Sequence, residues 1–129
     1  MLVLEVVGVL EDGSEPRAAG VPINPRKALS VPLGADWTLR VSVVTPFGSQ
    51  VQLTSGALVV TVKKKPTDSS AAFFRAATNG VFVFTPADTK NLPPGQYVYD
   101  IWYTDTGNKR SPVVPLSPFL LEASATLPT

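Results

Sequence analysis

An all-β sandwich of two antiparallel sheets is the fold class this sequence predicts, and three observations predict it. Thirteen prolines and nine glycines are spread through 129 residues. Proline fixes φ and removes a backbone donor, so short strands joined by turns are favoured over long helices. Several runs alternate apolar and polar side chains at the two-residue period of a half-buried strand, most clearly Trp37 to Val44. The stretch from Thr85 to Trp102, TPADTKNLPPGQYVYDIW, has the layout of a corner between two strands.

Taken in order, Leu2 to Leu10 is a first strand, rich in valine and apolar along nearly its whole length. It suits either a strand buried on both faces or an arm that adds to a neighbouring subunit's sheet. It is short, has no basic lead and is interrupted by Glu5, so it fails as a secretory signal. Glu11 to Gly20 is a polar, turn-rich loop that lacks the ligand spacing and terminal glutamate of a calcium loop. Val21 to Gly34 contains Pro22, Pro25 and Pro32, which forbid a helix and demote any strand there to an edge. In Trp37 to Val44 the residues Trp37, Leu39, Val41 and Val43 share one face. Thr45 to Ser49 turns, Val51 to Leu53 extends briefly, and Thr54-Ser55-Gly56 turns again before the strand Ala57 to Lys63. No charge occurs from Val41 to Val62, but Pro46, Gly48, Gln50, Gln52 and Gly56 break the run, so a transmembrane helix is rejected.

Lys63-Lys64-Lys65-Pro66 closes that strand. Ala71 to Thr78 is ambiguous, since its alanines favour a helical turn and Phe73-Phe74 a strand. Asn79-Gly80 is the strongest short turn signal, and Val81 to Thr85 is the strand after it. The corner then runs through Asp88, Leu92 and Pro93-Pro94-Gly95, with Asp88 suited to accept from corner amides. Tyr97, just inside the next strand, is expected to tie the corner down, as in immunoglobulin-like sandwiches. Tyr97, Tyr99, Ile101 and Tyr103 form one face of that strand, with Val98 and Trp102 on the other. Trp37 and Trp102 are expected at the centre of the core. Asp105 to Asn108 turns the chain, a last strand runs from Pro112 through Phe119, Leu121 and Ala123, and Ala125 to Thr129 is a tail. The expected architecture is therefore an immunoglobulin-like sandwich of about seven strands. Residues 1–20 form an N-terminal arm or added strand with a polar loop, residues 21–129 form the sandwich, and the whole is one domain.

The sequence has no cysteine and no histidine. Disulfides and thiolate chemistry are excluded, and the commonest general base and metal ligand are missing. No nucleophile elbow, phosphate-cradling glycine loop or S-x-x-K motif occurs, so no catalytic, cofactor-binding or metal-binding residue is assigned. A net charge of +1 gives no long-range attraction to nucleic acid or to an anionic membrane. Asp100, within a strand, is expected to face outward or to be hydrogen-bonded. The run Lys63, Lys64, Lys65 is expected to be a solvated loop or a salt link to an acidic neighbour subunit. Phe73 and Phe74 are adjacent, so in a strand one of them faces away from the core. An exposed phenylalanine suits a subunit contact or a sugar ring. The candidate interface is thus Leu2, Val3, Leu4, Val6 and Val7, with Lys63, Lys64, Lys65, Phe73 and Phe74. Deleting residues 1–20 is expected to abolish assembly and leave a folded core.

One pattern is more specific. LGADWTLRVSV from Leu33 is followed by TPFGSQVQLTSGA, ALVVTVKKK, DSSAAFFR, NGVFVFTPADTKNLPPGQYVYDIW and a closing PFLLE that ends at Glu122. This resembles the immunoglobulin-like domain at the start of phage baseplate upper proteins, and related small modules of tailed-phage virions. The resemblance implies an assembly piece of the virion, put together in the host cytoplasm and without enzymatic activity, cofactor or small-molecule substrate. Its implied partners are other virion proteins and copies of itself. The additional segment ahead of Leu33 departs from the family and leaves baseplate, tail, head–tail junction and capsid surface all open as positions. The alternative is an adhesion module that binds a glycan or host surface through the Phe73-Phe74 loop.

Overall fold

The computed structural model describes residues 2–11, 16–23, 25–53, 57–77 and 79–123. Among them run eight strands and one helical turn: β1 (Leu2–Val9), β2 (Leu29–Pro32), β3 (Trp37–Val44), β4 (Ala57–Lys63), β5 (Phe73–Ala77), β6 (Val81–Phe84), α1 (Pro86–Thr89), β7 (Gly95–Thr104) and β8 (Arg110–Glu122). They form a three-stranded sheet, β1-β3-β6, and a five-stranded sheet, β2-β8-β7-β4-β5. The all-β, two-sheet class is as expected. Two pairings are nevertheless parallel, β1 with β3 and β2 with β8. A direct hairpin would force antiparallel pairing, but the chain leaves β1 for β2 in the opposite sheet before returning as β3. Residues 2–9 are therefore a strand of this chain's own sheet.

Inward residues alternate as the period of two requires. Val6, Trp37, Leu39, Val41, Val43, Phe82 and Phe84 of the smaller sheet face Leu58, Val60, Val62, Tyr97, Tyr99, Ile101 and Phe119 of the larger. At the centre Trp37 stacks on Phe84 with ring centroids 4.1 Å apart, and Phe73 meets the edges of Phe84 and Phe119. Offset stacks and edge contacts of this kind add stability beyond the area they bury.

Trp102 is not part of this core, contrary to expectation. Tyr97, Tyr99, Ile101 and Tyr103 are the buried residues of β7, while Val98, Asp100 and Trp102 lie on its partly exposed outer face. Four bulky side chains fill the inner positions, and alternation sends the indole outward with Asp100.

The last strand, expected from Pro112 to Ala123, starts two residues earlier at Arg110 and ends at Glu122. β8 keeps its pairing with β7 through Pro112 and Pro118, with register shifts between Tyr99 and Trp102. β2 flanks only Phe119 to Glu122, so the proline-bearing half of β8 has no strand on its far side. Proline is tolerated there because no ladder donor is lost. Val113 and Val114 are adjacent and both buried, the signature of a bulge that re-aims one side chain. Within the ambiguous Ala71 to Thr78 segment, Phe73–Ala77 form strand β5, and β2, which ends in Pro32, is an edge strand as expected. At the Asn79-Gly80 turn, Gly80 has φ 78° and a Cβ would lie 2.5 Å from the Val41 carbonyl oxygen, so only glycine fits. The Thr54-Ser55-Gly56 turn, residues 12–15 of the first loop and the Ala125–Thr129 tail lie outside the described residues. No helix among the described residues is long and apolar enough to cross a membrane.

Candidate functional site

The corner is held by side chains that meet from both sheets. Asp88, three residues after Thr85, reaches back so that the Thr85 N–H donates to Oδ2 at 2.8 Å. The other carboxylate oxygen takes Nη2 of Arg75 at 2.7 Å. Arg75 also donates to the Val83 carbonyl, and its guanidinium lies 4.9 Å from the Phe84 ring centroid. Arg75 is on β5 and Val83 on β6, so one side chain fastens the edges of two sheets together. Sequence reasoning assigned Asp88 to the corner amides and missed Arg75. Its signal was a lone cation between Phe74 and Ala76 in an apolar strand.

Thr89, fully buried, was missed as well; its Oγ1 accepts the Gly34 N–H at 3.0 Å. Leu92 packs half-buried against the core, and Gly95 opens β7 with φ 138°. The Tyr97 hydroxyl donates to the Pro93 carbonyl at 2.7 Å, and that of Tyr99 donates to the Lys27 carbonyl at 2.5 Å. Burial raises the pKa of both phenols, most strongly at Tyr99. Asp88, Arg75, Thr89, Tyr97 and Tyr99 are each turned to another part of the chain, and their chemistry is that of a fastening.

The lysine run does not form one patch. Lys63 ends β4 half-buried, Lys64 Nζ lies 4.6 Å from the Tyr97 ring centroid, and the Lys65 N–H donates to Asp68 Oδ2 at 3.1 Å. Phe73 and Phe74 part company as adjacent strand residues must. Phe73 joins the aromatic core, and Phe74 is 67% exposed on the outer face of the five-stranded sheet, opposite Thr61.

The remaining candidates are on β1. Val6 is in the core, and Leu2 and Leu4 pack partly against it. Val3 and Val7 stand 44% and 56% exposed on the outer face. Register lines up Val3, Thr38 and Val83 in one row across this sheet and Glu5, Arg40 and Val81 in the next, and Val81 and Val83 are also exposed. The Leu10 N–H donates to the Val44 carbonyl at 2.9 Å. Alternation back along a parallel ladder turns the even-numbered peptide groups to β3 and those of Val3, Glu5 and Val7 to the free side. A groove of about 520 Å³ runs beside this edge, lined by Val7, Val9, Val21, Pro22 and Pro25.

The four sheet edges are not alike. β5 and β6 are fastened to each other through Arg75, and β2 has only four residues and ends in Pro32. β1 is eight residues long, contains no proline or lysine, and carries a single charge, the exposed Glu5, as a device against edge pairing.

No protein-family model and no curated protein matches this chain. Among solved structures it is similar to the N-terminal domain of phage TP901-1 ORF48, with a TM-score of 0.54 and 7% sequence identity. The likeness covers 95% of this chain and 99% of that one, and at this identity it is a likeness of fold.

Proposed function

We propose that this chain is a non-enzymatic structural component of a tailed-phage virion, docking to other particle proteins and to copies of itself. The observation that carries the reading is the long edge of β1, free of proline and lysine, with exposed Val3 and Val7 beside its outward peptide groups. An added strand from a neighbour would complete those main-chain hydrogen bonds and cover the valines. A fold shared end to end with a phage protein domain supports the particle setting, as does the motif resemblance between Leu33 and Glu122. The non-enzymatic part draws support from a chain without histidine or cysteine whose corner carboxylate, Asp88, is bound into a structural ion pair. Baseplate, tail and capsid-surface positions all fit such a module.

Electron microscopy of the native particle tests the setting: density for this sandwich is expected at symmetry-related positions. A Val3→Lys/Val7→Lys double variant tests the edge. Both side chains are exposed, so its unfolding midpoint should stay near that of the unmodified chain while incorporation into particles is lost. Purified particles without this protein would sink the virion reading. Normal incorporation of the double variant would sink the β1 edge.

A further inference from the structure

We propose that the outer face of the five-stranded sheet carries a saccharide-binding site centred on Trp102. Strand pairing brings β4, β7 and β8 side by side and opens a cleft of about 240 Å³ between them, lined by Thr61, Lys63, Asp100, Trp102, Arg110 and Leu116. That volume is below the range of about 300–1,000 Å³ for drug-sized pockets, so the cleft takes a single small ring. Trp102 is partly exposed, its Nε1–H donates to Asp100 Oδ2 at 3.2 Å, and the Arg110 guanidinium lies 5.5 Å from its ring centroid. Among the described residues the ion pairs are Glu11–Arg17 and Asp88–Arg75. Lys63, Asp100 and Arg110 therefore share a cleft without pairing to one another.

This is the chemistry of a sugar site. The Arg110 guanidinium lies over the indole face, and a pyranose would bring its C–H face there in place of that contact, which is weak at an exposed site. Around the indole stand an acceptor in Asp100, donors in Lys63 and Arg110, and a hydroxyl in Thr61, a mixed set that suits vicinal hydroxyls. Other ligand classes fit less well. A phosphate would meet the Asp100 charge, and nucleic acid would lack a cationic track in a chain of net charge +1. A peptide strand would find little free ladder, because β4 and β7 are paired on both sides and the unflanked half of β8 carries Pro112, Pro115 and Pro118. Phe74 stands on the same face one strand beyond Thr61 and one row along from Trp102. Strand spacing and rise put their Cα positions ~12 Å apart, a span on the scale of a further sugar in a linear chain. The expected Phe73-Phe74 platform is thereby replaced, since Phe73 points inward and packs half-buried against the core.

The test uses the full chain titrated with glucose, galactose, rhamnose, N-acetylglucosamine, maltotriose and chitotriose, read by saturation-transfer NMR and tryptophan emission. Trp37 is buried in the core, so a saturable emission change reports Trp102. Transfer to at least one sugar is expected. Binding should weaken by about tenfold or more in Trp102→Ala and, as a gentler variant, in Asp100→Asn. Phe74→Ala should weaken only the trisaccharides. Absence of transfer to all six sugars, or binding that survives both Trp102→Ala and Asp100→Asn, overturns the site. It lies in the opposite sheet from β1, so neither result bears on particle docking.

Discussion

Tyr99 is the residue whose surroundings make the sharpest demand on pH. It is fully buried, its hydroxyl is committed to the Lys27 carbonyl, and burial holds its pKa far above the ordinary 10.0. Tyr97 shifts in the same direction for the same reason. The unfolded chain gives up these protons near pH 10 while the folded chain keeps them, so above that pH the unfolded state binds fewer protons. The stabilisation from keeping the phenols neutral is fully present below about pH 10 and is lost as pH rises toward the folded-state values. Urea midpoints taken from about pH 8 to about pH 11 are therefore expected to fall on the alkaline side. Tyr99→Phe should flatten that fall and cost about 1 kcal/mol at neutral pH through the lost hydrogen bond. An alkaline limb equally steep in Tyr99→Phe would show that the phenol is not its source.

At the scale of elements, the two sheets come into close contact where β1 meets β8. A Cβ built on Gly8 would lie 2.9 Å from the Val113 carbonyl oxygen and 3.0 Å from the Val113 Cβ. Replacing a strand glycine with alanine ordinarily helps, by restricting the unfolded chain. Here the near atom is backbone on a bulged strand, which has little freedom to yield, so Gly8→Ala is expected to destabilise by about 1–3 kcal/mol. Thermal unfolding measures it, and an unchanged or raised midpoint would contradict the close approach. The sequence showed how much of such geometry is local. β3 was legible because polar residues alternate with Trp37, Leu39, Val41 and Val43. β7 was harder, since both its faces are apolar, and Asp100 was the one mark that Trp102 shares the solvent side. β1 offered continuous apolar residues and no alternation, and nothing in that pattern encodes a parallel partner reached through the other sheet. The Trp102 cleft was invisible for a similar reason. Lys63, Asp100 and Arg110 come from three strands, and only their order in the sheet brings them together.

For the whole molecule, the decisive question is whether the first strand can be removed. It was expected to be dispensable to the core, but its position says otherwise. β1 pairs with β3 along all eight residues, Val6, Val9 and Leu10 are buried, and Gly8 abuts the opposite sheet. Without it the smaller sheet is reduced to β3 and β6, joined over four residue pairs. A two-stranded ribbon is marginal on its own, and this one must still cover Trp37, Leu39 and Val43. The chain has no cysteine with which to staple the remainder. A chain lacking residues 1–10 is therefore expected to lose cooperative unfolding and the dispersed amide spectrum of a packed core. The exposed-face variant Val3→Lys/Val7→Lys should keep both, because it leaves the inward residues in place. Comparing the two separates two roles of one strand, the inner side that closes the sandwich and the outer edge proposed to meet a partner. A well-dispersed spectrum from the truncated chain would mean that the core closes without β1, and its apolar residues would then have to be explained by assembly alone.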